Sequence, residues 1–355
     1  MSNRNYDFGG NVSTSYYKNG LANSKLTWER TQEFNVGLDF GFFRNRINGS
    51  LDVYQRTSKD LIMERQLPST TGWTSVWDNI GKVRNTGLEL SINTINVQTS
   101  DFSWQTNIIF DTNKNEILEL YGGKKDDIGN KWFIGEAINV NYDYEFDGIW
   151  QTSEADKAAI YGQTPGQVKV KDQNHDNVID AKDKVILGQQ LPKWTGSITN
   201  TFTYKNWDLA VTFQGVLGNK IYNATRLELE DVTRGGNYMS TVLDYWTPEN
   251  PNASVPRLTW NDTNRNARSE SDRFLEDGSY FRMRSLQIGY TFPKKWFKGF
   301  VEKARVYVSG DNLFTITSYT GYSPDVNSTN MYSRGFDEFI YPNSRTFMMG
   351  INVTF

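Results

Sequence analysis

Apolar and polar residues alternate with a period of two along most of this chain, in segments separated by turn-forming residues. In 32–42, Phe34, Val36, Leu38, Phe40 and Phe42 share one face, and Glu33, Asn35, Gly37 and Asp39 the other. In 207–214, Trp207, Leu209, Val211 and Phe213 alternate with Asp208, Ala210, Thr212 and Gln214. The C-terminal segment repeats the pattern, with Phe347, Met349, Ile351, Val353 and Phe355 against Thr346, Met348, Gly350, Asn352 and Thr354. Segments near 47–55, 86–95, 102–111, 194–204, 281–292 and 304–312 read the same way, with a further one near 9–17. The pattern predicts an all-β chain of about nine antiparallel strands, each roughly 9–11 residues long. Helical periodicity is confined to 153–161, where Ser153 and Glu154 precede the run Ala155 to Tyr161.

The connections alternate between short and long. Phe43 to Arg46, Val97 to Asp101, Lys205-Asn206 and the basic-aromatic stretch Pro293 to Lys303 are short. Residues 57–82, 112–192, 219–279 and 313–344 are expected to be long connections, well beyond ordinary loop lengths. Antiparallel neighbours strung this way gather the tight turns at one end and the long loops at the other. Transmembrane β-barrels have that asymmetry, with short periplasmic turns and long extracellular loops. The apolar faces end in aromatics beside the short turns: Phe40, Phe42, Phe102, Trp104, Phe202, Tyr204, Trp207, Tyr290, Phe292 and Phe355. An interfacial girdle has this composition. Glu33, Asp39, Asp52, Glu89 and Asp208 lie on the opposite parity, where a wet lumen tolerates charge. Arg282 and Arg284 break the parity at the long-loop end of their strand, a position expected above the hydrocarbon. The alternative is a soluble extracellular β-sandwich, a carbohydrate-binding protein or adhesin, whose apolar face would be buried in a two-sheet core.

Composition removes several other classes. With 41 acidic and 38 basic residues the net charge is -3, so no basic surface advertises nucleic acid, and none is expected as a partner. There is no cysteine and a single histidine, His175, so disulfides and Cys- or His-rich metal sites are excluded. No apolar run is long enough for a membrane-spanning helix, and the first thirty residues lack a signal-peptide pattern. No enzyme is expected. Asp126-Asp127 and Glu228/Glu230 sit in loops without a partner base, a Ser-His-Asp arrangement would depend on His175, and Gly235-Gly236 has no phosphate-loop context. Loop aromatics Trp73, Trp77, Trp132, Trp150, Tyr222, Tyr238 and Trp260 have two readings, stacking on sugar rings or packing the loops together.

Residues 172–183, DQNHDNVIDAKD, carry the one motif with defined chemistry. Counting Asp172 as position 1, oxygen ligands fall at Asn174, Asp176, Asp180 and Asp183, positions 3, 5, 9 and 12. Val178 would offer its backbone carbonyl at position 7, and Ile179 is the apolar anchor at position 8. This is the spacing of an EF-hand loop around Ca²⁺. Asn177 stands where glycine is usual, and Asp183 where glutamate is usual. The flanks, Val168 to Lys171 and Val185 to Leu187, read as strands, so the loop would cross-link a long connection rather than couple two helices.

Several strings give the chain a wider resemblance. Leu26 to Tyr54, Leu67 to Gly72 and Asn79 to Leu90 are followed in order by Phe274 to Lys294, Arg305 to Asp325 and Tyr341 to Phe355. With these the chain resembles the C-terminal part of SusC/RagA-like TonB-dependent outer-membrane transporters over nearly its whole length, residues 1–355. The resemblance implies about nine C-terminal strands of a 22-stranded transmembrane β-barrel with a plugged lumen. It also implies the outer membrane of a Gram-negative bacterium, with extracellular loops that include 112–192, and a calcium loop at 172–183. A large nutrient such as an oligosaccharide or peptide would be imported, so nutrient uptake or glycan import is the implied transport function. The implied partners are a SusD-like surface lipoprotein, the lipid bilayer, and TonB acting through an N-terminal plug outside this sequence. On this reading the chain is the last third or so of a transporter.

Overall fold

The computed structural model describes residues 2–17, 20–262, 269–297, 299–326 and 335–355. Nine strands form one antiparallel sheet: β1 (Arg30–Phe42), β2 (Ile47–Gln66), β3 (Ser75–Gln98), β4 (Phe102–Leu120), β5 (Trp194–Tyr204), β6 (Trp207–Leu217), β7 (Tyr280–Phe292), β8 (Lys303–Thr317) and β9 (Thr346–Thr354). Each pairs with its neighbours in chain order, so the sheet is a meander without crossovers. The N-terminal Asn11–Tyr17 strand instead pairs with Ser2–Phe8 in a separate two-stranded sheet.

All nine strands expected from the alternation are present, and three of them run furthest beyond the sequence pattern. β2 continues to Gln66, β3 begins at Ser75, and β4 continues to Leu120. The long connection expected at 57–82 therefore shrinks to residues 67–74, and the one expected from 112 starts at Tyr121. The reason is local. In these extensions charges occur on both parities, as with Lys59, Asp60, Glu64 and Arg65, and Asp60 has φ +58°, which interrupts the two-residue repeat.

The chain forms two compact units. The first comprises Met1–Val36, Val53–Gly87 and Asn113–Ile138. Met63, Ile80, Val83, Ile117, Leu120 and Trp132 are its buried core. Residues 121–138 close over this core, with Ile117 N–H donating to the Glu136 carbonyl and Gly135 N–H to the Ile117 carbonyl, both at 2.8 Å. Charged side chains in the extensions are paired across strands, Arg56 with Glu33 and Arg84 with Glu116, each at 2.7 Å.

The second unit comprises Gly37–Asp52, Leu88–Thr112 and Asn139–Phe355. Its apolar sheet face is open: Leu38 is 58% exposed, Ile288 45%, Val308 48% and Ile351 63%. That face does not sit in a two-sheet core, contrary to what the β-sandwich alternative requires. At the short-turn end the aromatics stack into a band. Trp104 lies 5.7 Å from Phe202, Trp207 4.9 Å from Tyr290, Tyr290 5.2 Å from Phe292, and Phe300 5.8 Å from Phe355. Adjacent turns are tied together, Lys205 N–H to the Asp101 carbonyl and Thr291 N–H to the Asn206 carbonyl.

The parity break at Arg282 and Arg284 has a different cause from the one expected. In the β6–β7 ladder Thr212 pairs with Ser285 and Phe213 with Met283, so Arg284 is an extra residue in a β-bulge. The bulge moves Phe281 and Met283 onto the apolar face, where Phe281 stacks 5.3 Å from Phe213. It also returns Arg282 to the polar face opposite Gln214. There Arg282 is buried, donating to Thr315 Oγ1 at 2.9 Å and pairing with Asp325 at 3.1 Å. The arginines are no exception to the pattern. They mark where it changes phase.

Candidate functional site on the polar face and in the loops

Glycines let charged side chains reach across the polar face of the second unit. Asp208 on β6 and Arg305 on β8 are two strands apart, with Gly289 of β7 between them. Arg305 lies over Gly289 and holds Asp208 through two parallel bonds, Nε to Oδ1 at 2.9 Å and Nη2 to Oδ2 at 2.5 Å. A Cβ on Gly289 would stand 2.6 Å from Arg305 Nε. The Arg305 guanidinium also rests 5.1 Å from the Tyr307 ring centroid, and Tyr307 in turn covers Gly350. Sequence parity assigned Asp208 to this face but offered no partner for it. The readable signal was the glycine inside the strand, which marks a close approach.

The loops above the second unit carry their own small sheets, Val140–Tyr144 with Lys184–Gln189 and Phe146–Ile149 with Val168–Val170. The EF-hand-like segment sits between strands Val168–Val170 and Lys184–Gln189. Asp172 Oδ1 accepts from His175 N–H at 2.7 Å, and Oδ2 from Asn177 N–H at 2.9 Å and from the Tyr161 hydroxyl at 3.1 Å. Asn174 Oδ1 accepts from Asp176 N–H and Asp176 Oδ1 from Val178 N–H, both at 2.9 Å. Asp183 is fully buried and accepts from Gln173 N–H at 2.9 Å and Asp180 N–H at 2.8 Å. His175 and Asn177 both take left-handed backbone, φ +60° and +63°, so Asn177 does adopt the turn that glycine usually supplies. Ile179 packs against the cluster of Tyr144, Val168 and Val170.

One lysine offsets part of the acidic charge in this loop. Lys182 Nζ lies 3.4 Å from Asp180 and 3.7 Å from Asp176. The two carboxylates raise the Lys182 pKa, Asp180 more than Asp176. Burial pushes the Asp172 carboxyl up, but the Asn177 N–H, the Tyr161 hydroxyl and the His175 N–H outweigh it and hold it below its ordinary value. Among the described residues no group of three His, Asp or Glu side chains is arranged to hold a metal ion. Oxygen donors are present in EF-hand order, and their backbone frame has the tight turns such a loop needs.

A second charged cluster was not visible in the sequence. Glu230, at the end of helix Ala224–Glu230, meets Arg273 at 2.7 Å and Arg226 at 2.8 Å, with Glu230 and Arg273 both buried. Arg226 also reaches Glu276 at 3.2 Å. Burial pushes Arg273 down to about 10, against the opposing pull of Glu230, and it stays cationic at neutral pH. Of the loop aromatics, Trp132 and Trp150 are buried and Tyr222 stacks 5.4 Å from Phe336, so these pack the loops. Trp77 is 53% exposed and Trp260 83%. Asp126 accepts from Ile134 N–H and Asp127 from Asn130 N–H, which makes that acidic pair a turn element.

Comparison with known proteins agrees with this geometry. The family described as TonB dependent receptor-like, beta-barrel matches residues 2–313. A TonB-dependent receptor of Formosa agariphila is 35% identical over 358 residues, covering 94% of this chain and 35% of the relative. The TonB-dependent receptor SusC of Bacteroides thetaiotaomicron is 30% identical, covering 99% of this chain and 34% of its own length. The solved structure of the RagAB peptide transporter superposes with a TM-score of 0.80 at 26% identity, over all of this chain and 38% of that one. The chain thus spans about a third of the length of the relatives it matches. From the matched barrel, the nine-stranded meander and these relatives, the chain belongs to the TonB-dependent receptor β-barrel family, in its SusC/RagA-like branch.

Proposed function

We propose that this chain builds wall strands and extracellular loops of a TonB-dependent outer-membrane importer. Its cargo on this reading is a large nutrient, an oligosaccharide or a peptide, taken up with a SusD-like lipoprotein at the extracellular mouth. The observation that carries the reading is the two-faced sheet. One face is open, apolar and edged by aromatics at the short-turn end; the other is polar, with the Asp208–Arg305 pair reaching across strands. A bilayer on one side and a wet lumen on the other account for both. The peptide cargo of the RagAB relative supports the substrate class. No catalytic step belongs to this function. The test is growth of the native bacterium on an oligosaccharide or peptide as sole nutrient, with this gene or TonB deleted. Growth unaffected by either deletion across candidate nutrients would reject the reading.

We further propose that the 172–183 loop binds Ca²⁺ as a structural cross-link. Asp172, Asn174, Asp176, Asp180 and Asp183 would supply side-chain oxygens and Val178 its carbonyl, with the ion displacing Lys182 from between Asp176 and Asp180. The turn geometry at His175 and Asn177 supports this, and the salt-bridged lysine is its competitor. Calorimetric titration of the intact protein with Ca²⁺, before and after Asp176→Asn, decides it. Absence of a binding isotherm at millimolar Ca²⁺ would remove calcium from the account.

A further inference from the structure

We propose that the β-bulge at Arg284 builds a carboxylate-binding subsite on the polar, lumen-facing wall. This rests on the import reading above and refines its substrate class. On the wall strands Arg30, Arg56, Arg65, Arg84, Arg282 and Arg305 each lie against a carboxylate. Among the described residues Arg284 has no such partner: its Nη1 donates only to the Asn312 amide oxygen, at 3.3 Å. Its guanidinium is exposed and lines an open concavity of ≈ 300 Å³ with Asp111, Thr195, Ser197, Thr212 and Gln214. That volume lies at the lower end of small-ligand sites.

The position is set by two irregularities in the strands. Arg284 is the extra residue of the β6–β7 ladder, and on the other side of β7 Asn312 and Leu313 together oppose it. Asn312 sits at φ +53°, and its side-chain N–H donates to the Ser344 carbonyl at 3.0 Å, which fixes the amide that steadies Arg284. Strict alternation continued from Leu286 and Ile288 would place position 284 on the apolar face. Bulges recur where a side chain must be re-aimed. Arg284 thus presents a planar fork of donors suited to a carboxylate. Ser197 and Gln214 supply neutral hydrogen-bonding groups beside it, and Asp111, bonded to the Thr195 hydroxyl, accepts from ligand hydroxyl or N–H donors. The ligand chemistry is a carboxylate flanked by hydrogen-bond donors, found in a uronate oligosaccharide and in a short peptide with a free C-terminus.

The test uses the intact transporter purified in detergent and two probe pairs: trigalacturonate with its methyl ester, and tetra-alanine with its C-terminal amide. At least one acid is expected to bind ten- to a hundredfold tighter than its neutral counterpart, as charge-assisted bonding to arginine gives. The pair that shows the preference identifies the source. Arg284→Gln is expected to abolish the preference, bringing the acid's affinity down to that of its neutral counterpart. Arg284→Lys, which keeps the charge without the fork, should retain part of it and serves if the glutamine variant fails to assemble. Equal affinity for acid and neutral forms, a preference that survives Arg284→Gln, or no binding of any of the four probes would each overturn the subsite. Failure of the import reading would look different: uptake of the wild-type ligand unchanged by deleting TonB, with the binding comparison still standing.

Discussion

At the scale of single residues, stability depends on where space is left for charge. Gly289 is the clearest case, because the Asp208–Arg305 pair exists only if nothing projects from that position. Gly289→Val is expected to destabilise the sheet by about 1–3 kcal/mol, since the guanidinium must leave its carboxylate or the strands must shift. Asp208→Asn keeps the space and should cost less. Urea midpoints of the two variants in detergent compare them, and equal midpoints would mean the close approach carries no strain. Glu230 is a second case. Glu230→Gln leaves Arg273 buried without its carboxylate at 2.7 Å, and breaking a buried pair in this way costs about 3–5 kcal/mol. Limited proteolysis should show 219–262 cut more readily in the variant than in the wild type.

At the scale of elements, the acidic loop ties its own fold to pH. Its Asp172 carboxyl is held below its ordinary value in the folded chain, so its contribution is complete above the unfolded pKa of about 3.9. That contribution falls as pH drops through the lowered folded value. Asp180 shifts in the same direction, chiefly through the Lys182 N–H, so the two lose their hold on the turn together. Amide exchange at His175 and Asn177 is therefore expected to stay slow at pH 5–7, relative to intrinsic rates, and to lose protection below about pH 4. Protection that persists at pH 2.5 would show that the turns need no ionised carboxylate. The same loop shows what sequence discloses about elements. Its ligand order, its Ile179 anchor and its strand flanks were readable because they are local. β1, β5 and β6 were readable because water or lumen on one side and apolar surroundings on the other enforce strict alternation. The extensions of β2 to β4 were not, since a local core and paired charges replace that constraint there. The Glu230–Arg273 pair bridges residues 43 apart, and no local pattern encodes such a meeting. The bulge did leave a trace, in the two arginines out of phase, but parity alone could not distinguish a phase change from an exposed strand end.

At the scale of the whole molecule, the question is what solvent the apolar face meets, and one strand allows both answers to be compared. Ile198 lies in the middle of β5 on the apolar face, opposite Phe213 and Ile108, and is 43% exposed. Thr201 lies on the polar face of the same strand. If the apolar face meets hydrocarbon, a lysine at 198 near the bilayer midplane costs about 2–4 kcal/mol, whereas one at 201 faces water and costs little. If instead the face met water, Ile198→Lys would replace an exposed apolar side chain by a solvated one and would be close to neutral. The ratio of the two variants is thus a measure of the surrounding medium that is insensitive to strand propensity, because both substitutions fall within one strand. Refolding of the intact transporter into lipid vesicles, followed by heat-modifiable migration on a gel, is expected to show Ile198→Lys folding poorly and Thr201→Lys folding as the wild type does. Equal yields for the two variants would contradict the membrane assignment of this sheet, whatever the family's habit.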